Sequence, residues 1–347
     1  MRVLVTGGAG FIGSHIVDAY VAAGHEVWVI DDLSRGKPEN VNRAAGFRRM
    51  DLRSPELPGF LRQHRFDCIN HHAAQIDVRV SVADPVRDAT VNVLGSLNLL
   101  EAARVCKVPR LIFASTGGAI YGEQRQFPAA EEHPTAPLSP YGVAKLSVEH
   151  YLDYYRQVHG LHPVVLRYAN VYGPRQDPAG EAGVVAIFCD RVLRQQRLIV
   201  YGDGEQTRDY VYVGDVARAN LLALQCEPHG NRNNGKAASQ SGDGGGLAFN
   251  ISTGIETSVN ALVATLFVAA DADSALTYQP ARPGEQRRSV IAPGRAERAL
   301  GWRATTSLAE GLAKTLAWLR ATSARDETLG MHQAADLVAS KTTIDRN

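Results

Sequence analysis

The sequence carries almost no charge of either sign in excess: 37 Lys and Arg face 36 Asp and Glu over 347 residues, a formal net charge of +1. Such a balance gives no field for steering toward nucleic acid or an anionic membrane, so the expected partner is a small molecule. Cysteine is scarce too. Cys68, Cys106, Cys189 and Cys226 form no CxxC pair and lie among apolar neighbours, as buried free thiols do. Free thiols suit a reducing compartment. Long apolar runs are missing as well. The run Val3 to Val5 is cut by Thr6-Gly7-Gly8 before a signal-peptide core forms, and nothing later reaches the roughly 18 apolar residues of a membrane span. No internal repeat is present. The expectation is a cytoplasmic protein with neither nucleic-acid nor membrane partners.

What is present is an alternation. Short β-branched runs at Arg2–Thr6, Glu26–Ile30, Phe66–Asn70, Arg110–Ala114 and Pro163–Leu166 alternate with stretches of helical apolar spacing at Phe11–Ala23, Val86–Cys106 and Ser139–Val158. Strands joined by helical crossovers are parallel, with helices on both faces. The expected fold is therefore α/β, a Rossmann-type doubly wound parallel sheet over residues 1–174. Beyond Pro174 the texture turns Gly- and Pro-rich, predicting a smaller C-terminal α/β substrate-binding lobe over 175–321. Residues 229–246 are polar and Gly-rich without periodicity, which predicts a mobile insertion. Residues 322–347 read as a fraying tail.

The first strand runs into Gly7-Gly8-Ala9-Gly10-Phe11-Ile12-Gly13 at a strand-to-helix turn. Gly7 and Gly10 let backbone N–H groups, including those of Phe11 and Ile12, approach a pyrophosphate favoured by the helix N-terminus, and Gly13 permits close helix–sheet packing. The second strand ends at Asp31-Asp32, where a carboxylate accepts ribose hydroxyls and repels a 2′-phosphate. That favours NAD over NADP. Asp51 and Leu52, at the end of a third short strand, are placed to meet adenine, and His72-Ala73-Ala74-Gln75 to border the cofactor. No metal is expected at His71-His72, because neighbours on a strand point to opposite faces and no third ligand has recognisable spacing.

Tyr141 and Lys145 stand four apart at the start of a helical run, so they share a face. The strand before them ends in Ser115-Thr116, at the edge where open α/β sheets bind ligands. An ammonium beside a phenol favours the phenolate, as a general base requires. The hydroxyl of Ser115 or Thr116 is expected to hydrogen-bond the reacting oxygen, Thr116 being favoured.

The segments TGGAGFIGSH, HHAAQ, Val91-Asn92, STGGAIYGE, SPYGVAK, LRYANVYGPRQ, GDGEQTRDYVYVGDV and ARPGE together resemble the NAD-dependent epimerase/dehydratase family of the extended short-chain dehydrogenase/reductases, over Met1 to Leu319. The resemblance implies a homodimeric enzyme that interconverts UDP-glucose and UDP-galactose through a 4-keto sugar, with Tyr141 exchanging the proton of the 4-hydroxyl. It implies Lys145 and Tyr168 at the nicotinamide ribose and Asn92 on the nicotinamide side. The UDP-hexose would meet Asn170, Tyr201, Arg208, Arg282 and Glu285; two guanidiniums suit a diphosphate. Ser289 falls where bulkier relatives exclude N-acetylated sugars, so the N-acetylhexosamine pair is a further expected substrate. The alternatives are a dehydratase, a decarboxylase or a UDP-glucuronate epimerase, a simple reductase, and a non-catalytic NAD sensor. Thr116-Gly117-Gly118 lacks the acids that dehydration needs, and the intact Tyr141/Lys145 pair argues against a sensor.

Overall fold

The computed structural model describes residues 1–179, 183–226, 248–272, 275–281 and 286–323. The chain begins β1 (Arg2–Thr6), α1 (Phe11–Ala22), β2 (Glu26–Asp31), β3 (Gly46–Arg49), α2 (Leu57–His64) and β4 (Cys68–His71). It continues through α3 (Val78–Ala83), α4 (Pro85–Ala89), α5 (Gly95–Val105), β5 (Arg110–Thr116), α6 (Pro140–His159), β6 (His162–Tyr168) and β7 (Asn170–Tyr172). Then come α7 (Val184–Leu193), β8 (Leu198–Tyr201), β9 (Thr207–Arg208), β10 (Tyr210–Tyr212), α8 (Val213–Gln225) and β11 (Ala248–Ile251). The last elements are β12 (Thr257–Ser258), α9 (Val259–Ala270), β13 (Leu276–Gln279), α10 (Gly294–Leu300) and α11 (308–323).

Seven parallel strands form the central sheet in the order β11-β6-β5-β4-β1-β2-β3. Both faces are covered, and β1 shows why its residues are almost all apolar. Val3 and Val5 enter one core with Ile16 and Val17 of α1 and Val216 of α8, while Leu4 enters the other with Leu61 of α2, Leu99 of α5 and Val148 of α6. Strands buried on both sides read as continuous apolar runs rather than as alternation. A third core, with Phe188, Val200, Leu262 and Leu316, holds the smaller lobe together. The lobes are interleaved: α8 packs against α1, and β11 pairs with β6.

The expected helix Val86–Cys106 is broken in register rather than in direction. Between α4 and α5, Thr90–Leu94 form a π-helical turn. Such turns are uncommon and recur at functional sites; this one carries Asn92, buried and turned inward. The expected third strand ends at Arg49, two residues short of Asp51. The 229–246 stretch and positions 324–347 of the expected tail lie outside the described residues, whereas 322–323 close α11. Among the described residues no helix is long and apolar enough to cross a membrane. All four cysteines are free, Cys68 and Cys189 buried and the other two half-buried.

Candidate active site

The Gly-rich turn is built as a cradle. Gly7 sits at φ +70°, and a Cβ there would come within 2.6 Å of the Ala73 nitrogen; a Cβ on Gly13 would lie 2.2 Å from the Gly7 oxygen. Gly7 thus also serves the approach of the β4 loop, in addition to the tight turn, while Gly13 seats α1 against the turn. No side chain caps α1 at Gly10. The N–H groups of Phe11, Ile12 and Gly13 therefore have no intrahelical acceptor, which makes the turn an anion site. Asp31 is buried at the end of β2, one oxygen accepting from Ala9 N at 3.0 Å and the other from Leu33 N at 2.9 Å. Burial raises its pKa. Each oxygen keeps a lone pair for a ribose hydroxyl. Asp32 is exposed and instead caps the following turn through Ser34. Asp51 is tied to Arg53, and Leu52 is buried in the core. The residues present fit NAD: a bare helix terminus for its phosphates and a carboxylate at the end of the second strand.

The loop after β4 is held from beneath. Thr6 Oγ1 accepts from the N–H of both His72 and Ala73, at 3.2 and 3.1 Å. Asn92 fastens Gln75 twice, its Oδ1 accepting from Gln75 N at 2.8 Å and its Nδ2 donating to Gln75 O at 2.9 Å. The two histidines part as expected. His71 bonds Thr6 and Ser96, whereas His72 meets the Tyr168 hydroxyl at 3.0 Å. Among the described residues no three metal-ligating side chains cluster.

Tyr168 is buried at the end of β6. Its hydroxyl accepts from Asn220 Nδ2, which also donates to Val216 O and so cannot be reversed. His72 Nε2 shares this hydroxyl with Asn220, while His72 Nδ1 is buried without a hydrogen-bond partner. Burial, reinforced by Lys145, holds the His72 pKa down at about 3. Asn220 continues the chain to Asn70 and Tyr20.

At the end of β5 the two hydroxyls separate. Ser115 faces away from the cleft and donates to Glu149 of α6, itself paired at 2.6 Å with Arg167 of β6. Thr116 Oγ1 lies on the other face with Asn170; both are 3.9 Å from the point that a Gly118 Cβ would occupy. Ser139 caps α6 by accepting from Gly142 N, so the helix starts just ahead of Tyr141. The half-buried Tyr141 presents its ring 5.8 Å from Lys145 Nζ. Lys145 is buried, donates to Ala114 O at 2.9 Å and lies over the Phe113 ring. Burial brings its pKa down to about 8 against the opposing pull of Asp88 and Glu149.

Asn170 links this edge to a cavity of about 320 Å³ in the smaller lobe, lined among others by Phe188, Tyr201, Gln206, Arg208 and Tyr210. Arg208 Nη1 donates to Thr207 O and Gln286 O. Arg287 and Arg288 are engaged elsewhere, with Asp203 and Glu256. Arg282 and Glu285 lie outside the described residues. Phe188 and Gln206 were not among the expected site residues. The signal for Gln206 was its place two residues before Arg208; Phe188 gave none, being one apolar residue in an apolar helix.

Residues 3–234 match the NAD dependent epimerase/dehydratase family. The chain belongs to this family. Solved structures agree in fold and length. The UDP-glucose 4-epimerase of Thermotoga maritima, with UDP-glucose, is 47% identical and superposes with a TM-score of 0.86 over 93% of this chain and 99% of that one. The UDP-glucose 4-epimerase of Thermus thermophilus, with NAD, is also 47% identical, with a TM-score of 0.82 over 92% and 99%. A UDP-N-acetylglucosamine 4-epimerase of Methanobrevibacter ruminantium, in complex with UDP-N-acetylmuramic acid, is 33% identical, with a TM-score of 0.83 over 92% and 98%.

Proposed function

We propose that this epimerase family member interconverts UDP-glucose and UDP-galactose in the cytoplasm, with NAD held by the 1–174 lobe and the nucleotide-sugar by the 175–321 lobe. The observation that carries the reading is the shared cleft edge of Tyr141, Lys145, Thr116 and Asn170, continuous with a cavity large enough to take part of a nucleotide. NAD, when bound, supplies reversible two-electron oxidation at the sugar C4.

In this reading Tyr141 Oη takes the proton of the 4-hydroxyl and returns it to the oxygen of the 4-keto sugar once the sugar has presented its other face. The Lys145 ammonium favours the phenolate, and Thr116 Oγ1 orients the reacting oxygen. Ser115, turned to Glu149, takes no part. Asp31 holds the adenosine ribose, while Asn170 and Arg208 meet the diphosphate with Arg282.

The test is incubation with UDP-glucose and separation of products. UDP-galactose should form without net NADH; accumulation of NADH, or a 4-keto-6-deoxy product, would overturn the reading. The small, buried Ser289 and the 33% identical N-acetylglucosamine enzyme support turnover of UDP-N-acetylglucosamine as well. If that sugar is inert while UDP-galactose turns over, the size argument at Ser289 fails.

A homodimer is part of the same proposal. Val82, Val86, Leu94, Val143, Tyr154 and Val158 are exposed apolar residues on α3, α4, the π-helical turn and α6, elements that pack on one another, and exposed apolar residues grouped in this way mark interaction surfaces. Sedimentation should show twice the chain mass, and Val86→Asp with Tyr154→Asp should shift it to the monomer; an unchanged dimer would place the interface elsewhere.

A further inference from the structure

Asp88 is a charge without a counter-ion of its own. It lies in α4 at 1% exposure, and Oδ1 is fully engaged, accepting from Gln75 Nε2 at 2.9 Å and Asn92 Nδ2 at 3.0 Å. Its Oδ2 is buried with no hydrogen-bond partner. A carboxylate in such a place is retained only against a nearby positive charge. α4 packs on α6, and the cation its field reaches there is Lys145.

The other groups around Lys145 do not fill this role. Glu149 is already neutralised by Arg167 and bonded by Ser115. His71 and His72, facing Lys145 from β4 and its loop, are held neutral by burial, and Tyr141 presents its ring. From β5 come the Ala114 carbonyl and the Phe113 ring.

We propose that Asp88 is a positioning residue: a buried counter-charge that holds Lys145 as an ammonium beside Tyr141 while its other oxygen clamps the Gln75 loop through Asn92. One carboxylate thereby couples the loop that borders the cofactor to the charge state of the acid–base pair. The inference rests on the reading of Tyr141 and Lys145 as that pair.

The test is a stability cycle, independent of turnover: wild type, Asp88→Asn, Lys145→Met and the double variant, each saturated with NAD, melted at pH 6.5 and 9.5. Lys145 titrates near 8 when folded and near its ordinary 10.5 when unfolded, so the folded state sheds its proton first and this group makes wild-type stability rise over that interval. The sign follows from the proton count: here the unfolded chain binds more protons, so by linkage the ammonium's burial cost is greatest at low pH and is relieved as pH rises through 8. Without Asp88 the relief begins at lower pH. Asp88→Asn should therefore lower Tm by about 5 °C at pH 6.5 and by about 1 °C at pH 9.5, where Lys145 is already neutral. In the Lys145→Met background it should no longer lower Tm. Equal losses at both pH values and in both backgrounds would reduce Asp88 to an amide clamp. Should Asp88→Asn fail to fold, Lys145→Met alone decides: it strands the Asp88 charge, so its loss of Tm relative to wild type should be larger at pH 8 than at pH 5. An equal loss overturns the proposal. Failure of the acid–base reading would show separately, in the turnover of a Tyr141 variant.

Discussion

Replacing Tyr141 by phenylalanine should lower kcat by about 10³, within the 10²–10⁴ range of a positioned acid–base group, while KM and bound NAD stay near wild type. The ring keeps its place at the start of α6, because Ser139 caps the helix independently of the hydroxyl. Only the proton carrier is lost. Since Tyr141 would act in both directions of one cycle, forward and reverse rates should fall by the same factor. Near-wild-type turnover would remove Tyr141 from the mechanism altogether, and a protein whose regulatory output survived without turnover would be a sensor.

The second large effect concerns stability. Glu149 and Arg167 bury an ion pair at 2.6 Å, each about 9% exposed at the side chain, with Arg167 also donating to Tyr121 Oη and the Glu131 carbonyl. Glu149→Ala strands the guanidinium and the Ser115 hydroxyl together. Breaking such a pair from one side costs about 3–5 kcal/mol, and at a few degrees per kcal/mol the calorimetric Tm should drop by about 10 °C. Pairing Glu149→Leu with Arg167→Met should recover much of the loss, because an apolar pair leaves no charge uncompensated. A double variant no better than the single would show that the loss arises from packing instead.

These two sites also mark how far the sequence could be read. Tyr141 and Lys145 were legible because their relation is local: four residues on one helix fix it. Five of the sheet's seven strands were legible because double burial demands apolar residues throughout, as in β1, whereas the exposed β3 ends short of the expected Asp51 and β11 gave no such signal. Glu149 and Arg167 were not, for a carboxylate in mid-helix looks like any solvated charge until β6 is folded beside it. The same holds for Asn220, which reaches Asn70 across 150 positions. The choice between Ser115 and Thr116 needed the strand's facing, which the pleat fixes only once its neighbours are known. The π-helical turn left no trace in periodicity, since one extra residue per turn shifts the apolar stripe without erasing it. Gly7 was legible in part: positive φ is readable from a turn, but the approach of Ala73 is a tertiary fact.

The pairing of β11 with β6 has a consequence in time. The sheet's seventh strand arrives about 80 residues after its partner has been made. At a translation rate of about 5–20 residues per second, that delay is roughly 4–16 s. For that interval the nascent sheet ends at β6, whose N–H and C=O groups on the open side have no strand to pair with. An unpaired edge is a template for another chain, so the window for aggregation on the ribosome falls between the emergence of Tyr168 and that of Ala248, after α6 is already complete.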